Sequence, residues 1–146
     1  SLSAHGARIR VSGRISDFPQ KIQEVFSNAI EATKENTKLV VNFCLSYGGR
    51  EELTRASQRI AAAARTNPSA LAVDEATFAQ NLYTAGLPDV DLLIRTGGEK
   101  RLSGFLPWQS VYAELYFTDT LWPDFDEKEL DKALADFNQR KRNFGA

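Results

Sequence analysis

Residues 38–45 read KLVVNFCL, a nearly continuous apolar run that is typical of a strand covered on both faces. The glycine pair Gly48-Gly49 follows this run closely. A second apolar run, DLLI at residues 91–94, is followed by another glycine pair, Gly97-Gly98. Residues 47–50 break the first run, and an alanine-rich helical pattern then extends to about Thr66. Because strands that alternate with helices form parallel sheets, the sequence predicts an α/β fold with a mostly parallel sheet flanked by helices.

Two shorter segments complete the predicted sheet. Residues 8–12 alternate and stop at Gly13, and residues 114–117 (ELYF) are a fourth strand candidate. Four strands are few for a doubly wound sheet. We therefore expect part of the sheet to lie in sequence outside this chain or in a partner chain.

Local signals also mark the ends of the helices. The first helix is predicted to begin near Pro19, with Ser16 or Asp17 as its cap. Later helices are predicted to begin at two capping residues, Asp74 and Asp126. The basic run at residues 140–142 is predicted to occupy the last turn of the final helix, where cations suit the helix dipole.

Composition bounds the chemistry that this chain can carry. Its 146 residues predict a single domain over residues 1–146, and 18 Lys and Arg against 19 Asp and Glu give a net charge of -1. This balance argues against a nucleic-acid coat protein or a polybasic membrane binder. One Cys and one His exclude an internal disulfide and a cysteine-cluster metal site, and argue against a Ser-His-Asp triad. We expect carboxylates, arginines, hydroxyls and a hard metal ion to carry the chemistry.

The richest candidate site is the segment from Arg95 to Ser103, RTGGEKRLS, at the end of a predicted strand. It holds three cations, two hydroxyls and two glycines in nine residues. Glycines let backbone N–H groups approach an anion closely, and arginine binds phosphate oxygens in pairs. The segment therefore suits a diphosphate group. The alternative is a solvated turn whose arginines pair with local carboxylates, and the pattern does not decide between the two.

Acidic residues offer two candidate metal sites. Glu114 lies between apolar and aromatic residues, where a carboxylate needs a partner. It could hold Mg²⁺ that bridges phosphate oxygens, although the spacing alone favours a strand-edge carboxylate paired with an arginine. The acidic stretch at residues 119–131 is better explained by the charge preference of a helix N-terminus than by a metal.

A series of ordered motifs resembles the cis-prenyltransferase family, and within it most closely the bacterial undecaprenyl diphosphate synthases. The motifs are NFCLSYGGR at residues 42–50, DLLIRTGGE at 91–99, RLS at 101–103, FLPWQ at 105–109, YAELYF at 112–117, LWPDF at 121–125 and RKRNFG at 140–145. The resemblance covers essentially the whole chain from His5 onward. It implies sequential cis-condensation of isopentenyl diphosphate onto an allylic diphosphate such as farnesyl diphosphate.

The resemblance also assigns roles to residues. Three of them, Arg95, Arg101 and Ser103, correspond to residues that bind the diphosphate of isopentenyl diphosphate, and Glu114 corresponds to the magnesium ligand of the family. Two weaker candidates, Arg142 and Gly145, belong to a segment that reaches the active site across a dimer interface. Gly104 stands where many relatives have Asn, so a side-chain hydrogen bond expected there is in doubt.

Further expectations concern the whole protein. The resemblance implies a cytoplasmic homodimer that uses Mg²⁺, makes a lipid precursor of peptidoglycan and meets the membrane through its product. The N-terminal motif that carries the catalytic aspartate of the family has no counterpart in this chain. We therefore expect the chain to be the C-terminal part of a larger domain and to be inactive alone. The alternative is a non-catalytic fragment or partner subunit that binds diphosphate or dimerises.

Overall fold

A computed structural model describes residues 5–66 and 73–140. The chain divides into two compact units between Gly86 and Leu87. Each unit carries two parallel strands together with helices, which confirms the predicted α/β class. Within the described residues, no helix has both the length and the apolar character needed to cross a membrane.

In the N-terminal unit, strand β1 (Ala7–Gly13) pairs with strand β2 (Leu39–Leu45) in parallel, with Ala7 opposite Leu39. Helix α1 (Gln20–Thr33) connects them. The helix returns to the sheet at its last residue, where the Thr33 hydroxyl accepts a hydrogen bond from the Ile9 N–H at 2.9 Å. The structure contains all four predicted strands, two in each unit.

The predicted cap of α1 is wrong. Ser16 and Asp17 lie in a separate short 3-10 helix, Ile15–Asp17, and the Asp17 carboxylate is bonded to Arg14 and Ser46 instead. Pro19 occupies the N-cap position, and its carbonyl accepts the N–H of Ile22 at 2.8 Å. The Asp17 carboxylate bonds Ser46, which is 29 residues away in the chain, and local spacing does not reveal such a partner.

Helix α2 (Gly49–Thr66) and the short helix α3 (Glu75–Ala79) complete the N-terminal unit. Asp74 is the N-cap of α3 and accepts the Thr77 N–H at 2.7 Å, as predicted. This bond is the main reason that the pKa of Asp74 lies below its ordinary value. The apolar side of α2 is buried at Ala56 and Ile60.

Strand β2 differs from its prediction in one respect. Leu39 and Val40 are 57% and 43% exposed, and the rest of the strand is only half-buried. The expectation of a strand covered on both faces is therefore wrong for the described residues. An apolar run indicates that both faces of a strand favour burial, but the elements that bury them have to come from other parts of the sequence.

In the C-terminal unit, strand β3 (Leu92–Arg95) pairs in parallel with strand β4 (Glu114–Phe117). Helix α4 (Glu127–Gln139) follows, and its N-cap Asp126 accepts the Glu129 N–H at 3.1 Å, as predicted. The helix ends one residue before the basic run, because Arg140 has extended backbone (φ -80°, ψ 139°). The predicted placement of Arg140 in the last helical turn is therefore wrong.

Candidate functional site

Arg95 is the last residue of β3, so its side chain leaves the sheet at the carboxyl end of the strand. Its Nη1 atom donates a hydrogen bond to the Ser103 hydroxyl at 3.0 Å and another to the backbone carbonyl of Arg101. The segment that follows the strand is thus folded back onto the guanidinium. Both bonds use Nη1, and a guanidinium has three further N–H donors on Nη2 and Nε.

The backbone of this segment is held in an uncommon conformation. Ser103 has a φ of 50°, in the left-handed region that residues with a side chain rarely adopt. Gly104 follows with a φ of 77°, and a Cβ added there would meet no atom within 4 Å. Space therefore permits a side chain at position 104, whereas the backbone favours glycine. Such strained positions concentrate at functional sites.

The glycine pair does not present its amides to an anion. The N–H of Gly97 donates to the Thr120 carbonyl at 2.9 Å, and that of Gly98 donates to the Thr118 carbonyl at 2.9 Å. The expectation that these amides cradle an anion is therefore wrong. Their role is to close the turn, since both have a φ near 80° and a Cβ on Gly98 would lie 3.1 Å from the Asp119 carboxylate.

Arg101 points its guanidinium at Glu99, with which it forms an ion pair. Both side chains are largely exposed, at 63% and 48%. This pair matches the alternative interpretation of the segment, in which arginines meet local carboxylates. It also leaves Arg101 accessible to a charged ligand, because exposed ion pairs contribute little stability.

Glu114 is the first residue of β4 and lies opposite Leu92 in the register. The ladder separates it from Arg95 by three residues, or roughly 10 Å along the strands. Its Oε2 atom contacts Nη1 of Arg140 at 2.9 Å. The hydrogen bond to Glu114, followed by one to Asp136, raises the pKa of the Arg140 guanidinium above its ordinary value. The structure thus supplies the arginine partner that the spacing favoured.

A Mg²⁺ site needs oxygen donors that lie close together. The described part of the chain contains no cluster of three or more His, Cys, Asp or Glu that could hold a metal. A single carboxylate is nevertheless compatible with Mg²⁺, because this ion is commonly held by one or two carboxylates together with substrate phosphates. Glu114 therefore fits as one ligand of a shared site, to which substrate phosphate, water and residues outside this chain would add the other ligands.

Two carboxylates of the acidic stretch have structural roles. Asp126 caps α4, and the Glu129 carboxylate accepts from the Thr120 hydroxyl at 3.2 Å. Glu129 also pairs with Lys132, which is the first cause of the low pKa of that carboxyl group. The two weaker candidates, Arg142 and Gly145, lie outside the described residues.

Sequence reasoning missed a buried carboxylate in the N-terminal unit. Glu52 of α2 is fully buried, and its carboxylate accepts the Tyr47 hydroxyl at 2.5 Å and the Tyr83 N–H at 2.8 Å. A signal was present in the sequence, because Glu52 precedes Ala56 and Ile60 at intervals of four on the buried side of the helix. A charge at such a position implies a buried partner.

The chain matches known prenyltransferases along its length. The family model described as "Putative undecaprenyl diphosphate synthase" matches residues 1–145. An isoprenyl transferase of Heliobacterium mobile is 47% identical over 99% of this chain and 56% of its own length. One of Streptococcus thermophilus is 46% identical over 99% of this chain and 60% of its own length. The chain thus spans somewhat under two thirds of these relatives.

Solved structures agree with the sequence matches. A probable undecaprenyl diphosphate synthase from Campylobacter jejuni superposes with a TM-score of 0.86 at 36% identity, covering 100% of this chain and 66% of that one. A lavandulyl diphosphate synthase from Lavandula x intermedia, in complex with dimethylallyl diphosphate, gives a TM-score of 0.92 at 37% identity, covering 99% and 63%. Fold and sequence agree, and the chain belongs to the undecaprenyl diphosphate synthase family of prenyltransferases.

Proposed function

We propose that this chain forms the isopentenyl diphosphate site of a cis-prenyltransferase. The observation that carries the proposal is the contact of Arg95 with Ser103 at the carboxyl end of β3, with Arg101 in the same segment. Ligands of α/β sheets bind outside the carboxyl ends of strands. Arginine and hydroxyl donors recognise phosphate oxygens, and membership of the prenyltransferase family supports a diphosphate as the ligand.

The reaction is condensation of isopentenyl diphosphate with an allylic diphosphate such as farnesyl diphosphate. The allylic carbon–oxygen bond breaks and diphosphate leaves with the electron pair. The isopentenyl double bond attacks the allylic carbon, and a proton is then lost to form the new double bond. Arg95, Arg101 and Ser103 bind the isopentenyl diphosphate and hold its double bond toward the allylic carbon. Positioning of this kind removes part of the entropic barrier.

Glu114 is the residue of this chain that holds Mg²⁺ in the proposal. Bound Mg²⁺ supplies positive charge to the diphosphate oxygens. In the strand register, Glu114 lies opposite Leu92, three residues from Arg95. Further members of the site come from the remaining length of the protein. The proposal includes a homodimer, in which the segment that holds Arg142 and Gly145 reaches across the interface, and a polyprenyl product such as undecaprenyl diphosphate that associates with membrane.

The test is an assay with radiolabelled isopentenyl diphosphate, farnesyl diphosphate and Mg²⁺. A protein of the relatives' length that contains this chain is expected to form polyprenyl product, and the 146-residue chain alone is not. In the longer protein, Arg101→Ala should raise the KM for isopentenyl diphosphate by about tenfold or more, since charge-assisted hydrogen bonds contribute about 1.5–3 kcal/mol each. An unchanged KM would refute the assigned site, and turnover by the chain alone would refute its incompleteness.

A further inference from the structure

The Arg140 guanidinium lies between two carboxylates of the C-terminal unit. Nη1 contacts Oε2 of Glu114 at 2.9 Å, while Nη2 and Nε contact Oδ2 of Asp136 at 2.6 and 2.8 Å. The side chains of Arg140 and Glu114 are 34% and 25% exposed, so the pair is partly shielded from water. Arg140 is thus the resident positive charge beside the proposed metal ligand.

A divalent metal and Arg140 make competing demands on Glu114. Mg²⁺ takes carboxylate oxygens at about 2.0–2.1 Å and tolerates little departure from octahedral geometry. A guanidinium nitrogen at 2.9 Å from Oε2 occupies one side of that oxygen and repels a second cation nearby. A metal that takes Oε2 of Glu114 as a ligand therefore requires Arg140 to withdraw.

We propose that Arg140 and the divalent metal hold Glu114 in alternation, with Arg140 neutralising the carboxylate until a metal bound with diphosphate displaces it. This inference rests on the proposed function, because it takes Glu114 as the metal ligand. It adds a residue to that site, and it assigns the residue a role opposed to metal binding.

Asp136 makes the exchange possible. Arg140 already has two contacts with this carboxylate, which lies four residues earlier at the end of α4. Loss of the contact with Glu114 therefore leaves the guanidinium paired. Arg140 also lies one residue beyond the helix, in extended backbone, so its side chain can turn away from β4 without breaking a helical turn.

The experiment measures binding of the preformed 1:1 complex of inorganic diphosphate with Mn²⁺, which stands in for Mg²⁺, to a protein of the relatives' length that contains this chain. Isothermal titration calorimetry gives the dissociation constant of the Mn²⁺ complex. The variants are Arg140→Ala, Arg140→Lys, Glu114→Gln and the double variant Arg140→Ala/Glu114→Gln. Lys132→Ala is the matched control, because it removes a cation that pairs with Glu129 on the same helix. Far-ultraviolet circular dichroism establishes that each variant is folded.

Arg140→Ala should tighten Mn²⁺ binding by about two- to fivefold, the range that corresponds to a weak ion pair. The Mn²⁺ affinity of Arg140→Lys should lie between those of Arg140→Ala and the parent. Lysine keeps the positive charge but lacks the planar guanidinium that contacts both carboxylates. Lys132→Ala should change nothing. Glu114→Gln should weaken binding by about tenfold or more, and the added Arg140→Ala should then give no gain.

Two results would overturn the proposal in distinguishable ways. If Glu114→Gln weakens binding but Arg140→Ala leaves it unchanged, or tightens it equally in the Glu114→Gln background, Arg140 does not compete and the metal site stands. If Glu114→Gln leaves Mn²⁺ binding unchanged, the metal assignment itself is wrong and the proposed exchange falls with it.

Discussion

Arg95 and Ser103 are eight residues apart in the chain, and the guanidinium of the first donates a hydrogen bond to the hydroxyl of the second at 3.0 Å. The same guanidinium nitrogen also bonds the backbone carbonyl of Arg101. The three residues assigned to the diphosphate are therefore connected to one another by hydrogen bonds. Such preorganisation reduces the entropic cost of holding a ligand.

The first prediction concerns this contact. Ser103→Ala removes the hydroxyl from both Arg95 and the ligand, so the affinity of the chain for inorganic diphosphate should fall by about three- to tenfold, the worth of about one hydrogen bond. Isothermal titration calorimetry measures the change. Ser57→Ala is the control, because its hydroxyl bonds the backbone carbonyl of Leu53 within its own helix. Equal affinity of Ser103→Ala and the parent would contradict the assignment.

The second prediction concerns the ion pair of Glu99 with Arg101. Glu99 competes with an anionic ligand for the guanidinium, so Glu99→Gln should tighten diphosphate binding by about two- to fivefold at low ionic strength. The gain should shrink as salt is added, because exposed charges are screened. Glu31→Gln removes a carboxylate from a similar exposed pair with Lys34 and should have no effect. If both variants bound diphosphate more tightly by the same factor, the change in net charge alone would explain the gain, and the pair of Glu99 with Arg101 would not.

The third prediction concerns the buried carboxylate of Glu52. Glu52→Ala leaves the Tyr83 N–H and the Tyr47 hydroxyl without this acceptor, which should lower the free energy of unfolding by about 2–4 kcal/mol. Urea denaturation followed by circular dichroism measures it. Arg59→Ala, an exposed change on the same helix, should stay within about 0.5 kcal/mol of the parent. A cost below that margin for Glu52→Ala would show that the buried network is dispensable.

The fourth prediction concerns Cys44, the one cysteine of the chain. Burial first, and the charge of Glu52 second, raise the pKa of its thiol above the ordinary value of 9.0. The unfolded chain loses this proton near pH 9 while the folded chain retains it, so stability should fall as the pH rises through that value. Alkylation by iodoacetamide should show a midpoint above pH 9 in the folded chain.

The variant Glu52→Gln separates the two causes of the raised pKa of Cys44. Removal of the carboxylate charge should move the Cys44 midpoint back toward 9, while the part caused by burial should remain. The urea-unfolded chain should titrate at the ordinary value. A folded midpoint at or below 9 would contradict the direction of the shift.

The elements of the fold were predictable where their causes are local. The four strands follow from short apolar runs, and the caps Asp74 and Asp126 bond an N–H three residues away. Long-range partners were not predictable. Glu114 and Arg140 are 26 residues apart, and Glu52 and Tyr83 are 31 apart. Periodicity carries no information about such partners, and both contacts are known only from the structure.

The sequence singles out the segment of the candidate site but does not predict the contacts within it. The segment from Arg95 to Ser103 was identified by its density of cations and hydroxyls, and the structure brings those two residues together. The glycine amides were assigned to an anion, yet they bond the carbonyls of Thr118 and Thr120. A glycine in sequence indicates conformational freedom, and it does not tell which acceptor its N–H will meet.

The left-handed backbone at Ser103 limits which residues can replace it. Threonine would keep the hydroxyl, but a β-branched side chain is strained at a φ of 50°. Glycine would suit the backbone and lose the hydroxyl. Position 103 therefore has two independent requirements, a backbone that tolerates the left-handed conformation and a side-chain hydroxyl. Of serine and threonine, serine meets both better. Exchange of serine for threonine, ordinarily the mildest of substitutions, becomes here a disruptive one.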